Sequence, residues 1–172
     1  YLSRGLGDVY KRQIMGRGTV TGPGTLTVNG ETIQWKRLVV ATGSTPFVPP
    51  PFRDITPALM TNEHIFEMED LPESLLVIGL GVIGLELGQA LARLGVRTTL
   101  LGVGGAVGPL TDPEVLAAAR SHFTEALDLH PEYNLHSVGM TDEGGVANHF
   151  TDATGADRTE TNHSDLMAAG RR

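Results

Sequence analysis

The sequence predicts an α/β fold, a Rossmann-like parallel sheet built on a βαβ unit, with β-meanders beside it. Two observations carry this. Apolar residues 75–78 run directly into Gly79-Leu80-Gly81-Val82-Ile83-Gly84, with Gly88 four residues on, so a strand turns sharply into a helix at G-x-G-x-x-G spacing. The next stretch sets Ile83, Leu87, Ala90, Leu91 and Leu94 three and four residues apart, an apolar stripe for one helix face. Gly95 stops that helix, and residues 96–101 form a second strand, completing a unit of roughly 30 residues.

The other elements follow in chain order. Residues 19–28 and 31–40 read as short strands, punctuated by Gly22-Pro23-Gly24 and by Asn29-Gly30, a strong hairpin signal. Leu38-Val39-Val40-Ala41 is continuously apolar, the pattern of a strand buried on both faces, and it stops at Thr42-Gly43-Ser44-Thr45-Pro46. Pro49-Pro50-Pro51 predicts an extended connector. Thr61-Asn62-Glu63-His64 caps a short helix through Ile65, Phe66 and Met68. Beyond a glycine-rich loop at 102–108, Asp112 and Pro113 open a helix whose buried side is Val115, Leu116, Ala119, Phe123 and Leu127. Residues 135–140, 146–152 and 158–162 read as a polar meander, and 166–170 as a final apolar strand.

The glycine turn points to a dinucleotide. Gly79 lets the chain reverse, Gly81 lets backbone approach a pyrophosphate, and Gly84 and Gly88 bring the helix close to the sheet. The phosphates would then meet orphan N–H groups at the positive end of the helix dipole.

Composition narrows the alternatives. The net charge is −7 and the pI about 5.3, which argues against nucleic-acid or membrane-surface partners. No run of about 18 apolar residues exists, so no membrane span is expected, and a cytoplasmic location is expected. The absence of cysteine excludes a disulfide, a thiolate metal site and a redox dithiol within these residues. Six histidines are scattered, without metal-ligand spacing. Residues 1–13 resemble translated adapter read-through. They are expected to be a non-native leader on a piece of a longer reading frame, which the lack of an initial methionine also fits.

A meander, the segment Ala41-Thr42-Gly43-Ser44-Thr45-Pro46, a connector, the glycine unit and a closing Ala168-Ala169-Gly170-Arg171-Arg172 occur here in one order. That order resembles the class I pyridine nucleotide-disulfide oxidoreductases, with dihydrolipoyl dehydrogenase the nearest type. The resemblance implies an incomplete two-domain flavoprotein fold. Residues 14–52 would be part of an FAD-binding domain, 53–74 a connector and 75–172 an NAD(P)-binding domain. It implies that Thr42, Gly43 and Ser44 contact FAD, and that Gly79, Gly81, Val82, Ile83 and Gly84 hold NAD or NADP. Gly170 would lie near the nicotinamide and Glu86 near the flavin. Glu86 has a second reading, complementing the helix dipole.

The chain departs from that family in two ways. Gly102 stands where an Asp or Glu usually holds the ribose hydroxyls, and no arginine follows in residues 103–108 to hold a 2′-phosphate, which leans the preference toward NAD. The family's C-x-x-x-x-C disulfide is absent, and none of the histidines falls on its acid-base motif, so no catalytic residue is assigned. The expected function is therefore that of a fragment, inactive alone, of an FAD-dependent oxidoreductase that is a homodimer when whole. An NADH oxidase or ferredoxin reductase type of flavoprotein, or a non-catalytic NAD(H)-binding module, are the alternatives.

Overall fold

The computed structural model describes residues 13–172, so the leader expected over 1–13 lies, Gln13 excepted, outside the described residues. The chain divides into two compact units, one ending at Gly43 and one spanning Ser44–Arg172.

In the first unit, β1 (Gly18–Gly22), β2 (Thr25–Val28) and β3 (Glu31–Gln34) form an antiparallel sheet in sequence order. Asn29 and Gly30 both take positive φ, 51° and 85°, the conformation a two-residue hairpin needs to match strand twist. The strand expected through Val40 ends early. Residues 38–41 form no strand, and Val39 is 85% exposed. A strand patterned for burial on both faces needs neighbours to bond its backbone, and among the described residues it has none.

The second unit is a three-layer α/β arrangement. Its central sheet runs β4 (Leu59–Thr61), β11 (Ser164–Met167), β5 (Ser74–Ile78), β6 (Arg97–Leu101), β7 (Asp128–His130), all parallel. Side chains alternate across it. Leu75, Val77, Leu100 and Leu166 pack toward the helices, whereas Leu76, Ile78, Leu101 and Met167 pack toward Phe52, Ile55 and Phe150 on the opposite face. That opposite layer includes the antiparallel meander β8 (Tyr133–Met140), β9 (Val146–Asp152) and β10 (Asp157–Asn162). The edge strands β4 and β7, three residues each, were not expected from the sequence.

Three local expectations change. The connector after Pro49 is a 3-10 helix, Pro50–Ala58, with Phe52, Ile55 and Ala58 buried at every third position. Proline's fixed φ suits a helix start as well as an extended chain. Helix α1 (Val82–Arg93) buries Gly84, Gly88 and Leu91, while Ile83 is 37% and Leu94 64% exposed and Ala90 is also exposed. The glycines let its backbone sit on the sheet, so the contact face is turned toward them. In α2 (Pro113–Ala126) Val115 is exposed, and Leu116, Ala119 and Phe123 are half-buried.

Asp112 caps α2, accepting from the Glu114 and Val115 N–H groups at 3.0 and 3.1 Å. Asp112→Ala is expected to cost about 1 kcal/mol, and Asp112→Asn much less. Urea denaturation of the two variants beside the wild type measures the difference.

Candidate dinucleotide site

The order of the central sheet places a topological switch between β11 and β5. From β5 the chain moves outward through β6 to β7, then returns to the other side of β5 as β11. Ligands of open α/β sheets bind at the carboxyl ends of the strands flanking such a point. The glycine turn and residues 168–170 lie there.

Each glycine of the turn has a separate geometry. Gly79 has φ +111°, and a Cβ on it would lie 2.5 Å from the Ala168 carbonyl oxygen. A Cβ on Gly84 would fall 1.9 Å from the Gly79 carbonyl oxygen. Gly81 differs from both: its φ is −69°, and a Cβ there would meet nothing within 4 Å. It is the N-cap of α1, with no side chain among the described residues bonding the first-turn N–H groups. Those orphan donors are at the positive end of the helix.

Two hollows flank Gly81. One, of about 480 Å³, is lined by Gly79, Gly81, Val103, Gly108, Tyr133 and Gly170 among others. The other, of about 230 Å³, includes Asn62, Val82, Ile83, Ala168, Gly170 and Arg171 in its walls. The first is bounded by the loop after β6, fixed by Gly102 N–H to His130 O at 2.8 Å and Gly108 N–H to Leu80 O at 2.7 Å. Gly102 is buried, and a Cβ on it would lie 2.5 Å from Leu80 Cδ1 and 3.2 Å from Pro131 O. The missing carboxylate therefore has a steric counterpart in Leu80. Burial, and then the nearby Asp165 carboxyl, raise the Tyr133 phenol above its ordinary value.

The structure thus gathers Gly79, Gly81, Val82, Ile83, Gly84 and Gly170 at one place. Glu86 lies on the exposed side of α1 and makes no side-chain hydrogen bond among the described residues. Ser44 belongs to the same unit, and its hydroxyl accepts from Arg171 Nε at 2.7 Å. Thr42 and Gly43 are exposed in the first unit. Asn62, Gly108, Tyr133 and Arg171 line the hollows although no sequence motif assigns them there. Of these, only Arg171 carried a signal, as the neighbour of Gly170. No cluster of three or more metal-ligating side chains occurs, and no helix is long and apolar enough to cross a membrane, among the described residues.

Residues 5–170 match the family described as pyridine nucleotide-disulphide oxidoreductase. Dihydrolipoyl dehydrogenase of Trypanosoma brucei brucei is 34% identical over 167 residues, covering 90% of this chain and 34% of the relative. That of Synechocystis is 29% identical over 164 residues, covering 92% and 35%. Among solved structures, LpdA of Mycobacterium tuberculosis superposes with TM-score 0.68 at 28% identity, over 92% of this chain and 36% of that one. The HOCl-induced flavoprotein disulfide reductase RclA of Escherichia coli shares the fold, with TM-score 0.73 at 21% identity over 92% and 36%. The chain spans about a third of the length of these relatives. With nearly all of its residues matched, it belongs to the class I pyridine nucleotide-disulphide oxidoreductase family, whose members use FAD and NAD(P) and include the dihydrolipoyl dehydrogenases.

Proposed function

We propose that this chain is the nicotinamide-dinucleotide-binding part of an FAD-dependent reductase of the dihydrolipoyl dehydrogenase type, homodimeric and cytoplasmic when whole. In this reading residues 14–52 belong to an FAD-binding domain, 53–74 connect, and 75–172 hold NAD(P). A bound nicotinamide supplies a hydride for the flavin. The chain's own residues bind and orient the dinucleotide. Gly79, Gly81, Val82, Ile83 and Gly84 surround the pyrophosphate, and Gly170 lies toward the nicotinamide. Thr42, Gly43 and Ser44 serve the flavin, with Glu86 near it.

The observation that carries the reading is Gly81. Its neighbours need glycine for packing, whereas the space over Gly81 is open and adjoins uncapped helical N–H groups. A position where folding would tolerate a side chain, but where glycine stands, is explained by the close approach of an anion. A second reading is an NAD(H)-binding module without disulfide chemistry. Upstream sequence carrying a second G-x-G-x-x-G and a C-x-x-x-x-C decides between them.

Gly81→Val tests the binding role. It is expected to melt within a few degrees of the wild type and to bind NADH at least about tenfold more weakly, since charge-assisted bonds to the phosphates are obstructed. Fluorescence titration with NADH and NADPH reads this. A wild-type chain that binds neither overturns the proposal.

A further inference from the structure

Arg171 draws together three pieces of the second unit. Its Nε donates to Ser44 Oγ at 2.7 Å and its Nη2 to the Ser44 carbonyl oxygen at 2.5 Å. Nη1 donates to Asn62 Oδ1 at 3.3 Å, and Nη2 also reaches Glu63 Oε1 at 3.1 Å. Asn62 and Glu63 directly follow β4, Ser44 opens the unit, and Arg171 follows the Ala168-Ala169-Gly170 lip after β11. The backbone repeats the connection. Phe47 N–H donates to Gly170 O, Thr45 N–H to Arg172 O and Arg172 N–H to Thr45 O, each at 2.9 Å.

The lip held in this way forms part of both hollows, and its Ala168 carbonyl packs over Gly79. The Glu63 carboxylate is 60% exposed, so its ion pair contributes little in water. The weight falls on Ser44 and Asn62, which take donors along two edges of one planar guanidinium. A lysine ammonium cannot reproduce that fork.

We propose that Arg171 is a positioning residue for dinucleotide binding: its fork on Ser44 and Asn62 sets the height of the 168–170 lip over the glycine turn. This rests on the dinucleotide-binding role proposed above. The charge of Arg171 is secondary to its shape, so a cation of different geometry does not replace it.

The test is NADH titration of the 172-residue chain as wild type, Arg171→Ala and Arg171→Lys, with thermal melting and hydrogen exchange at the Thr45 and Phe47 amides. Both variants are expected to melt close to the wild type, exchange those two amides faster, and bind NADH about tenfold more weakly. Wild-type affinity in Arg171→Lys overturns the inference, because charge alone then suffices. Wild-type affinity in both variants also overturns it and leaves the proposed function standing. A wild-type chain that binds neither NADH nor NADPH overturns the proposed function and this inference with it.

Discussion

Gly84→Ala lowers the stability of the chain by about 3 kcal/mol, a drop of roughly 6–12 °C in melting temperature for a chain of this size. Alanine is the better helix former, by about 1 kcal/mol, at an exposed interior position. Here that gain is outweighed. The added methyl falls 1.9 Å from the Gly79 carbonyl oxygen and 3.3 Å from the Ala168 Cβ. The Gly79 oxygen is backbone within a turn that β6 holds through Gly79 N–H to Leu101 O at 2.8 Å, so α1 must lift from the sheet instead. Gly88→Ala is the useful contrast. Its Cβ would meet Leu100 Cδ2 at 2.7 Å, an obstacle at the end of a side chain, and the expected change is within about 1 kcal/mol. Thermal and urea unfolding of the two variants should rank Gly84→Ala well below Gly88→Ala. Equal stability would mean that the Gly79 turn gives way to the added methyl as readily as the Leu100 side chain does.

That pair also marks where sequence reasoning succeeds and stops. Turn and cap chemistry is local, so Asn29-Gly30, the glycine turn and the Asp112-Pro113 helix start are legible from residues close together in the chain. The buried face of α1 was displaced because periodicity weighs apolar bulk, whereas the contact is made by Gly84 and Gly88, which have no side chain to count. Edge strands β4 and β7 are too short to show a period, and they exist because parallel partners bond them. Residues 38–41 present the opposite case. Their apolar pattern is plain, but a pattern cannot supply the neighbouring strands that would make it β structure. In the site, the glycines were legible from spacing. The Arg171 fork was not, since its partners Ser44 and Asn62 lie more than a hundred residues away.

Asp165→Asn raises the stability of the chain at pH 8 and removes most of its decline between pH 5 and pH 7. Asp165 sits in β11, an interior strand of the parallel sheet, with no exposed surface. Its hydrogen-bond partner is the equally buried Asn148, whose Nδ2 donates to the two carboxyl oxygens at 3.2 and 3.0 Å. No cation pairs with it among the described residues. Burial pushes the carboxyl up to about 7 against the opposing pull of the Asn148 amide. In the unfolded chain an aspartate ionises near 3.9. Below pH 4 both states hold the proton and no penalty arises. As pH climbs from 4 to 7 the unfolded state releases its proton and the folded state keeps it, so stability falls, by up to roughly 4 kcal/mol for a rise of this size. Above pH 7 both states are ionised and the curve flattens. Asp152 works the other way: the Thr154 hydroxyl, then the Arg158 guanidinium at 2.7 Å, hold its carboxyl well below the usual range. Its contribution is full at neutral pH and is lost in strong acid, so the two groups act on opposite sides of about pH 4. Replacing Asp165 by asparagine leaves the Asp152 limb intact and flattens only the upper one, and the introduced amide can donate to Asn148 Oδ1, which has no partner among the described residues. Urea unfolding from pH 2 to pH 8 measures both limbs. A variant whose curve parallels the wild type across pH 5–7 would mean that Asp165 is ionised and paired in the folded chain.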